Sequence, residues 1–214
     1  MDKYLSVITN FGCHYTCPYC IVKNNNLQIP KTTIEGLDNL AEEIKKNNCN
    51  WVSISGGGDP LWNFERNRFW YYKFAAIITG LDVNIELHTS IINPPSYIAL
   101  YKRIVYHLHN FEQLPLIYRL NDEIVRVVFV VTEDFTEELI DRIAKYCKES
   151  NQIDELSFRQ MVDNNYQDTD YCKEYLQAGH QKDWWYIEQC DYNLYYCENK
   201  VYTEYKAIGE DVNA

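Results

Sequence analysis

"IVRVVFVVTEDFTEELIDRIAKYCKESNQIDELSFRQMV", Ile124 to Val162, reads as a strand, a helix and a second strand. The run 124–132 is dense in β-branched residues, which favour a pleated, packed surface. Thr136 is placed to cap the helix 136–150, and Glu137 and Glu138 suit the positive end of its dipole. Leu139, Ile140, Ile143, Ala144 and Cys147 recur at helical spacing and form one apolar stripe. The run 154–162 is again strand-like. Two strands joined through a helix of this length form a parallel pair, because parallel neighbours need a long crossover.

The same alternation extends toward the N-terminus. Strands are expected at 4–11, 51–55, 83–90 and 104–110, and helices at 32–48, 66–80 and 95–103. Thr32 or Thr33 would cap the first helix and Gly80 would close the second. Segment 111–121 is helix or loop, with Pro115 against a regular helix. Six strand–helix alternations predict a parallel sheet with helices on its outside. Roughly 160 residues are too few for an eight-fold (β/α) barrel of about 250 residues. The expected fold is therefore α/β, a partial (β/α)6 barrel over 1–163. Residues 164–214 are expected to form a C-terminal extension packed on the core, with a β-hairpin turning at "ENK" (198–200) and no further βα unit.

Composition narrows the function classes. At 214 residues with 46% hydrophobic and 24% charged residues, the chain is globular rather than disordered. The net charge of −11 argues against broad nucleic-acid binding, because the summed field repels phosphates. No apolar run reaches the roughly 18 to 20 residues that span a bilayer. The N-terminus lacks the pattern of a signal peptide, so a cytoplasmic location with reduced thiols is expected for the eight cysteines.

Three of those cysteines cluster. "NFGCHYTCPYCIVKN" (10–24) follows the first strand and spaces Cys13, Cys17 and Cys20 as C-x3-C-x2-C. A structural zinc cage wants four ligands, and no second C-x2-C exists, although His14 lies inside the triplet. Three thiolates also suit an iron–sulfur cluster with one coordination position left for another molecule. A second motif, "SISGGGDPLW" (53–62), puts Gly56, Gly57, Gly58 and Asp59 at the end of the second strand. Glycines there let backbone approach a ligand closely. Both motifs sit at carboxyl ends of strands, where ligands bind in parallel α/β folds.

The triplet, with aromatic Tyr19 before its last cysteine, resembles the radical S-adenosylmethionine (SAM) superfamily over about residues 4–162. "GGDP" (57–60) is similar to that family's Gly-Gly-Glu-Pro motif, with Asp59 in place of glutamate. The resemblance implies a [4Fe-4S] cluster held by Cys13, Cys17 and Cys20, and SAM bound near Tyr19 and the glycines. It implies reductive cleavage of SAM to a 5′-deoxyadenosyl radical that abstracts hydrogen from a substrate, with a flavodoxin- or ferredoxin-type electron donor. The third strand ends in "ELHTS" (86–90), where the family places polar residues against SAM. Alternation sends Glu86, His88 and Ser90 to one face, to meet ligand or to bond within the protein. His107 and His109 share a face of the fourth strand. Arg159, opposite Phe158 on the sixth, is expected inside the barrel, facing an anionic ligand or a structural carboxylate. The competing class is a non-catalytic zinc-binding interaction module. Cys172, Cys190 and Cys197 are read as ordinary buried thiols.

Overall fold

The computed structural model describes residues 2–92, 94, 100–179, 183–188 and 193–210. Its centre is a nine-stranded sheet in the order β7-β6-β5-β4-β3-β2-β1-β8-β9. The strands are β1 (Tyr4–Thr9), β2 (Trp51–Gly56), β3 (Asn84–Thr89), β4 (Arg103–Leu108), β5 (Ile124–Val131), β6 (Glu155–Gln160), β7 (Trp185–Ile187), β8 (Leu194–Cys197) and β9 (Lys200–Tyr202). Every neighbouring pair is parallel except β8–β9. The helices are α1 (Ile21–Asn24), α2 (Leu40–Lys46), α3 (Phe64–Thr79), α4 (Glu137–Glu149), α5 (Lys173–Gly179) and α6 (Tyr205–Glu210).

One sheet face is apolar and covered by helices. Leu5, Val7, Val52, Ile54, Leu87, Ile104, Val127, Phe129 and Phe158 pack there against Leu40 and Ile44 of α2, Trp70 and Phe74 of α3, and Ile140 and Ile143 of α4. α4 is capped as its sequence demands: Thr136 Oγ1 accepts from Leu139 N at 3.2 Å. The stripe continues onto α5 through Leu176, which is fully buried.

The opposite face is polar, and it is concave. In a flat sheet β1 and β4 would lie about 14 Å apart, with side chains standing parallel. Here Arg103 Nη1 on β4 donates to Tyr4 Oη on β1 at 3.2 Å. Arg103 also pairs with Glu86 Oε2 at 3.0 Å and Glu155 Oε1 at 3.4 Å, and lies over the Trp51 ring at 4.4 Å. Arg126 Nε donates to Glu155 Oε2 at 2.6 Å. These charges belong to the amino-terminal half of the strands. They neutralise one another in a buried row, as carboxylates and guanidinium groups away from water must.

Two expectations change, at 32–48 and beyond residue 163. The helix at 32–48 is interrupted: a 3-10 turn at Glu35–Leu37 precedes α2. The helix at 95–103 falls mainly outside the described residues, and Arg103 opens β4 instead. Segment 111–121 contains a 3-10 helix, Phe111–Leu116, capped by Asn110. Beyond residue 163 there is a further helix–strand step, since β7 follows α5 and pairs parallel with β6. The hairpin β8–β9 does turn at Glu198–Asn199, and β8 pairs parallel with β1. Strands from 164–214 thus extend both ends of the sheet. Among the described residues no helix is long and apolar enough to cross a membrane.

Candidate functional site

Because the strands are parallel, the loops after β1, β2, β3 and β4 all emerge at one end, and they touch. Gly57 N donates to Thr9 O at 2.7 Å and Asp59 N to Gly12 O at 3.0 Å, joining the β2 loop to the cysteine loop. Asn10 fastens the same loop to segment 29–32: its backbone N–H donates to Thr32 Oγ1 at 2.6 Å and its Nδ2 to Ile29 O at 2.8 Å.

Cys13, Cys17 and Cys20 are free thiols on this loop, Cys13 exposed and the other two half-buried. Cys20 N donates to Cys17 O at 3.2 Å, and α1 begins at the next residue. Among the described residues no three His, Cys, Asp or Glu side chains converge tightly enough for a single metal ion. The thiols are neighbours all the same. Burial pushes the Cys17 thiol up, and Cys13 and Cys20 push it further. Thiolates that destabilise one another favour a shared cationic centre, and soft sulfur donors suit iron or zinc. The donor set therefore fits the cluster that the family resemblance implies.

Aromatic and imidazole rings wall the loop. Tyr19 Oη and His109 Nδ1 are hydrogen-bonded at 2.5 Å, and Cys17 Sγ lies 4.0 Å from the same nitrogen. The Tyr15 ring packs on His109 at 4.1 Å, and His14 stacks on Trp62 at 5.7 Å. Burial raises the Tyr19 phenol and lowers His109, so both stay neutral at ordinary pH. His14 Nδ1 and His109 Nε2 are buried without a partner among the described residues. The sequence offers His14 only as a fourth zinc ligand and His109 only as a neighbour of His107 on the fourth strand; Trp62 is not singled out, because a lone indole carries no spacing signal.

The glycine run is dictated by protein contacts. A Cβ on Gly58 would lie 2.1 Å from Gly12 O, one on Gly57 2.8 Å from the Ile29 side chain, and one on Gly56 2.6 Å from Thr9 O. Gly12 has φ +103° and faces the Trp62 indole, so it too must be glycine. The backbone approach that glycine permits is to the cysteine loop in the first place. Gly56 O also accepts from Tyr205 Oη of α6 at 3.2 Å. α6 covers the inner face beside β1 and β8, where Ile8, Ile29, Cys197, Tyr205 and Ile208 form a small apolar cluster.

Asp59 is 4% exposed and bonded within the protein. Its carboxylate accepts from Leu61 N, Thr89 Oγ1, Ser90 N and Ser90 Oγ at 2.7 to 2.9 Å. Ser90 stands one residue past β3, where alternation ends, so it joins Thr89 on Asp59 rather than following His88. His88 bonds Glu86 Oε1 through Nε2 at 3.0 Å and His107 Nε2 through Nδ1 at 2.9 Å. Phe158 is fully buried in the helix-side core, which leaves Arg159 on the concave face. Arg159's charge is felt by His107 and by Tyr205. Of the remaining cysteines, Cys197 is buried, Cys172 Sγ reaches Phe135 O at 3.4 Å, and Cys190 lies outside the described residues.

No family model and no curated protein matches the chain. Among solved structures it shares its fold with Streptococcus suis SuiB, determined bound to the precursor peptide SuiA. The TM-score is 0.60 at 16% identity, covering 88% of this chain and 49% of SuiB. The chain therefore spans about half the length of that protein.

Proposed function

We propose that this chain is a radical SAM enzyme built on a partial barrel, acting on a peptide-sized substrate. The observation that carries the reading is the cysteine loop: three neighbouring thiols at the carboxyl end of β1, clasped by the glycine loop of β2. Cys13, Cys17 and Cys20 would hold a [4Fe-4S] cluster. That cluster would supply one electron to SAM, whose C–S bond would break to release methionine and a 5′-deoxyadenosyl radical able to take hydrogen from the substrate.

The chain's own work is to bind, orient and exclude water. Tyr15, Tyr19, Trp62 and His109 surround the loop with rings that shield a redox group from solvent. The backbone of Gly56–Gly58 would bound SAM on the β2 side, and Asp59 fixes that backbone by tying it to Thr89 and Ser90. Arg159, nearer the carboxyl ends of the strands than Arg103 and Arg126, is suited to a SAM or substrate carboxylate. The fold shared with SuiB, solved with a peptide bound, supports a peptide-sized substrate. A small electron-transfer protein of the flavodoxin or ferredoxin type would be its reductant.

Anaerobic purification tests the reading. The expected protein is brown, holds iron and sulfide, and forms 5′-deoxyadenosine from SAM under dithionite. Alanine at Cys13, Cys17 or Cys20 should remove the iron, and Cys197→Ala should not. A colourless chain with one zinc would overturn the enzyme in favour of a zinc-binding interaction module.

A further inference from the structure

The helix layer is thin beside α3. The crossovers after β2 and β5 lay helices of 16 and 13 residues on the sheet, α3 and α4. Between β3 and β4 the chain runs only from Ser90 to Lys102, too short for a helix of that length with a loop at each end. The neighbouring flank of α3 shows the consequence. Tyr72 is 62% exposed, and Leu100, just before β4, is 52% exposed. Under this flank lies a cavity of about 480 Å³. Small-molecule sites fall in the range of about 300–1,000 Å³. Its floor is Phe74, Ile78 and Ile85, all buried. The cavity is on the helix side of the sheet and shares no residue with the cysteine and glycine loops.

Tyr101 lines the same cavity and is 6% exposed. Among the described residues its hydroxyl bonds nothing, unlike that of Tyr71, which donates to Pro60 O. Burial alone raises the Tyr101 phenol, with no charge and no hydrogen bond acting on it. Nor is the oxygen walled in by protein: it keeps a little accessible surface, and the space it meets is the cavity. Buried tyrosines normally place the O–H on a partner, and a polar group left without one marks a place where something else binds. At the rim, Glu65 and Arg68 are both exposed and opposite in charge, so the rim does not choose the sign of a ligand. The interior does choose. No charged side chain lies on the floor, so an ion there would lose its water with nothing in return.

We infer that this cavity is a binding site for a small, uncharged and mainly apolar molecule that carries one oxygen acceptor, a ketone or an ester, with that oxygen accepting from Tyr101 Oη. Phe74, Ile78 and Ile85 take the apolar body, and the phenol fixes its orientation. The site stands on α3 and Tyr101 and not on the reading of the cysteine loop, so a chain without iron or SAM gives the same answer.

The test uses the full chain with ¹³C-labelled isoleucine methyl groups. Acetophenone, the probe, should shift the Ile78 and Ile85 methyl resonances saturably. Ethylbenzene has nearly the same shape without the oxygen, and it should bind several-fold more weakly. Tyr101→Phe removes only the hydroxyl: it should bring the two probes to equal affinity and should not lower the melting temperature. Ala75→Phe, which fills the cavity from the α3 side, should abolish both responses. No saturable shift, equal binding of the two probes to the unaltered chain, or a preference that survives Tyr101→Phe would each overturn the site. A marked loss of stability in Tyr101→Phe would overturn it as well, by placing the hydroxyl on a partner within the protein.

Discussion

Asp59 Oδ2 holds both the backbone N–H and the hydroxyl of Ser90, each at 2.7 Å. One carboxylate thereby locks the end of β2 to the end of β3, the two loops that would flank a cofactor. Asp59→Ala would leave the Thr89 and Leu61 donors buried without a partner, at about 1–3 kcal/mol for each group so stranded. Chemical denaturation of the iron-free chain should show a loss of about 3 kcal/mol. Asp59→Glu would complete the Gly-Gly-Glu-Pro motif that this loop resembles, yet it inserts a methylene into a site already filled. It should cost about 1–3 kcal/mol instead of improving the protein.

Gly58 and Gly80 make a matched pair. A methyl at Gly58 meets the Gly12 carbonyl, a backbone atom that cannot rotate away, so Gly58→Ala must displace the cysteine loop. Reduced iron loading and a lower melting temperature are expected together. At Gly80 the nearest atom to an added Cβ is Ile77 O at 3.8 Å, and φ is −85°. Gly80→Ala should raise stability by about 0.4–1 kcal/mol, through the unfolded chain's lost freedom.

These glycines mark where sequence reading stopped. The β5–α4–β6 unit was legible because each of its signals is local: a β-branched run, a cap and a stripe. The broken helix at 32–48 was not, because its cause lies far along the chain. Glu198 bonds Thr33 N at 3.0 Å and also its hydroxyl, and Asn199 Nδ2 donates to Glu35 O at 2.8 Å. The β8–β9 turn thus holds residues 33–39 out of regular helix. β7 is three residues long, too short to show a period. The cysteine triplet and glycine run were visible as motifs, but their mutual contact was not. Likewise alternation put His88 and Glu86 on one face, but only the β3–β4 register brings His88 to His107.

Arg103 is the centre of the buried charge row, with Tyr4, Glu86 and Glu155 around it. Arg103→Met keeps the bulk and removes the charge, leaving Glu86 with His88 alone and Glu155 with Arg126 alone. A loss of about 3–5 kcal/mol is expected, the cost of breaking one side of a buried pair. Lys46→Met, which removes an exposed i,i+3 partner of Glu43, should change stability by less than about 0.5 kcal/mol. Equal effects from the two would mean that the concave face is wetter than its geometry indicates.

The same face sets how the fold responds to acid. Glu86 titrates at about 2 when folded, below its ordinary 4.5, so the unfolded chain binds its proton more readily. Its contribution is complete above pH 4.5 and is lost as pH falls toward 2. His107 is held below its ordinary 6.5, and here too the unfolded chain takes up the proton first. Stability tied to His107 is therefore complete above pH 6.5 and declines below it. The groups acting on His107 are Glu86, His88, His109 and Arg159, and only Glu86 favours its protonation. Denaturation free energy should be flat in this respect above pH 6.5, start to fall below it, and fall further under pH 4.5. His107→Gln should lessen the first of these declines, leaving the part that His109 contributes through its own buried ring, and should leave the second unchanged. A variant that retains the whole of the loss between pH 6.5 and 4.5 would assign it to groups other than His107.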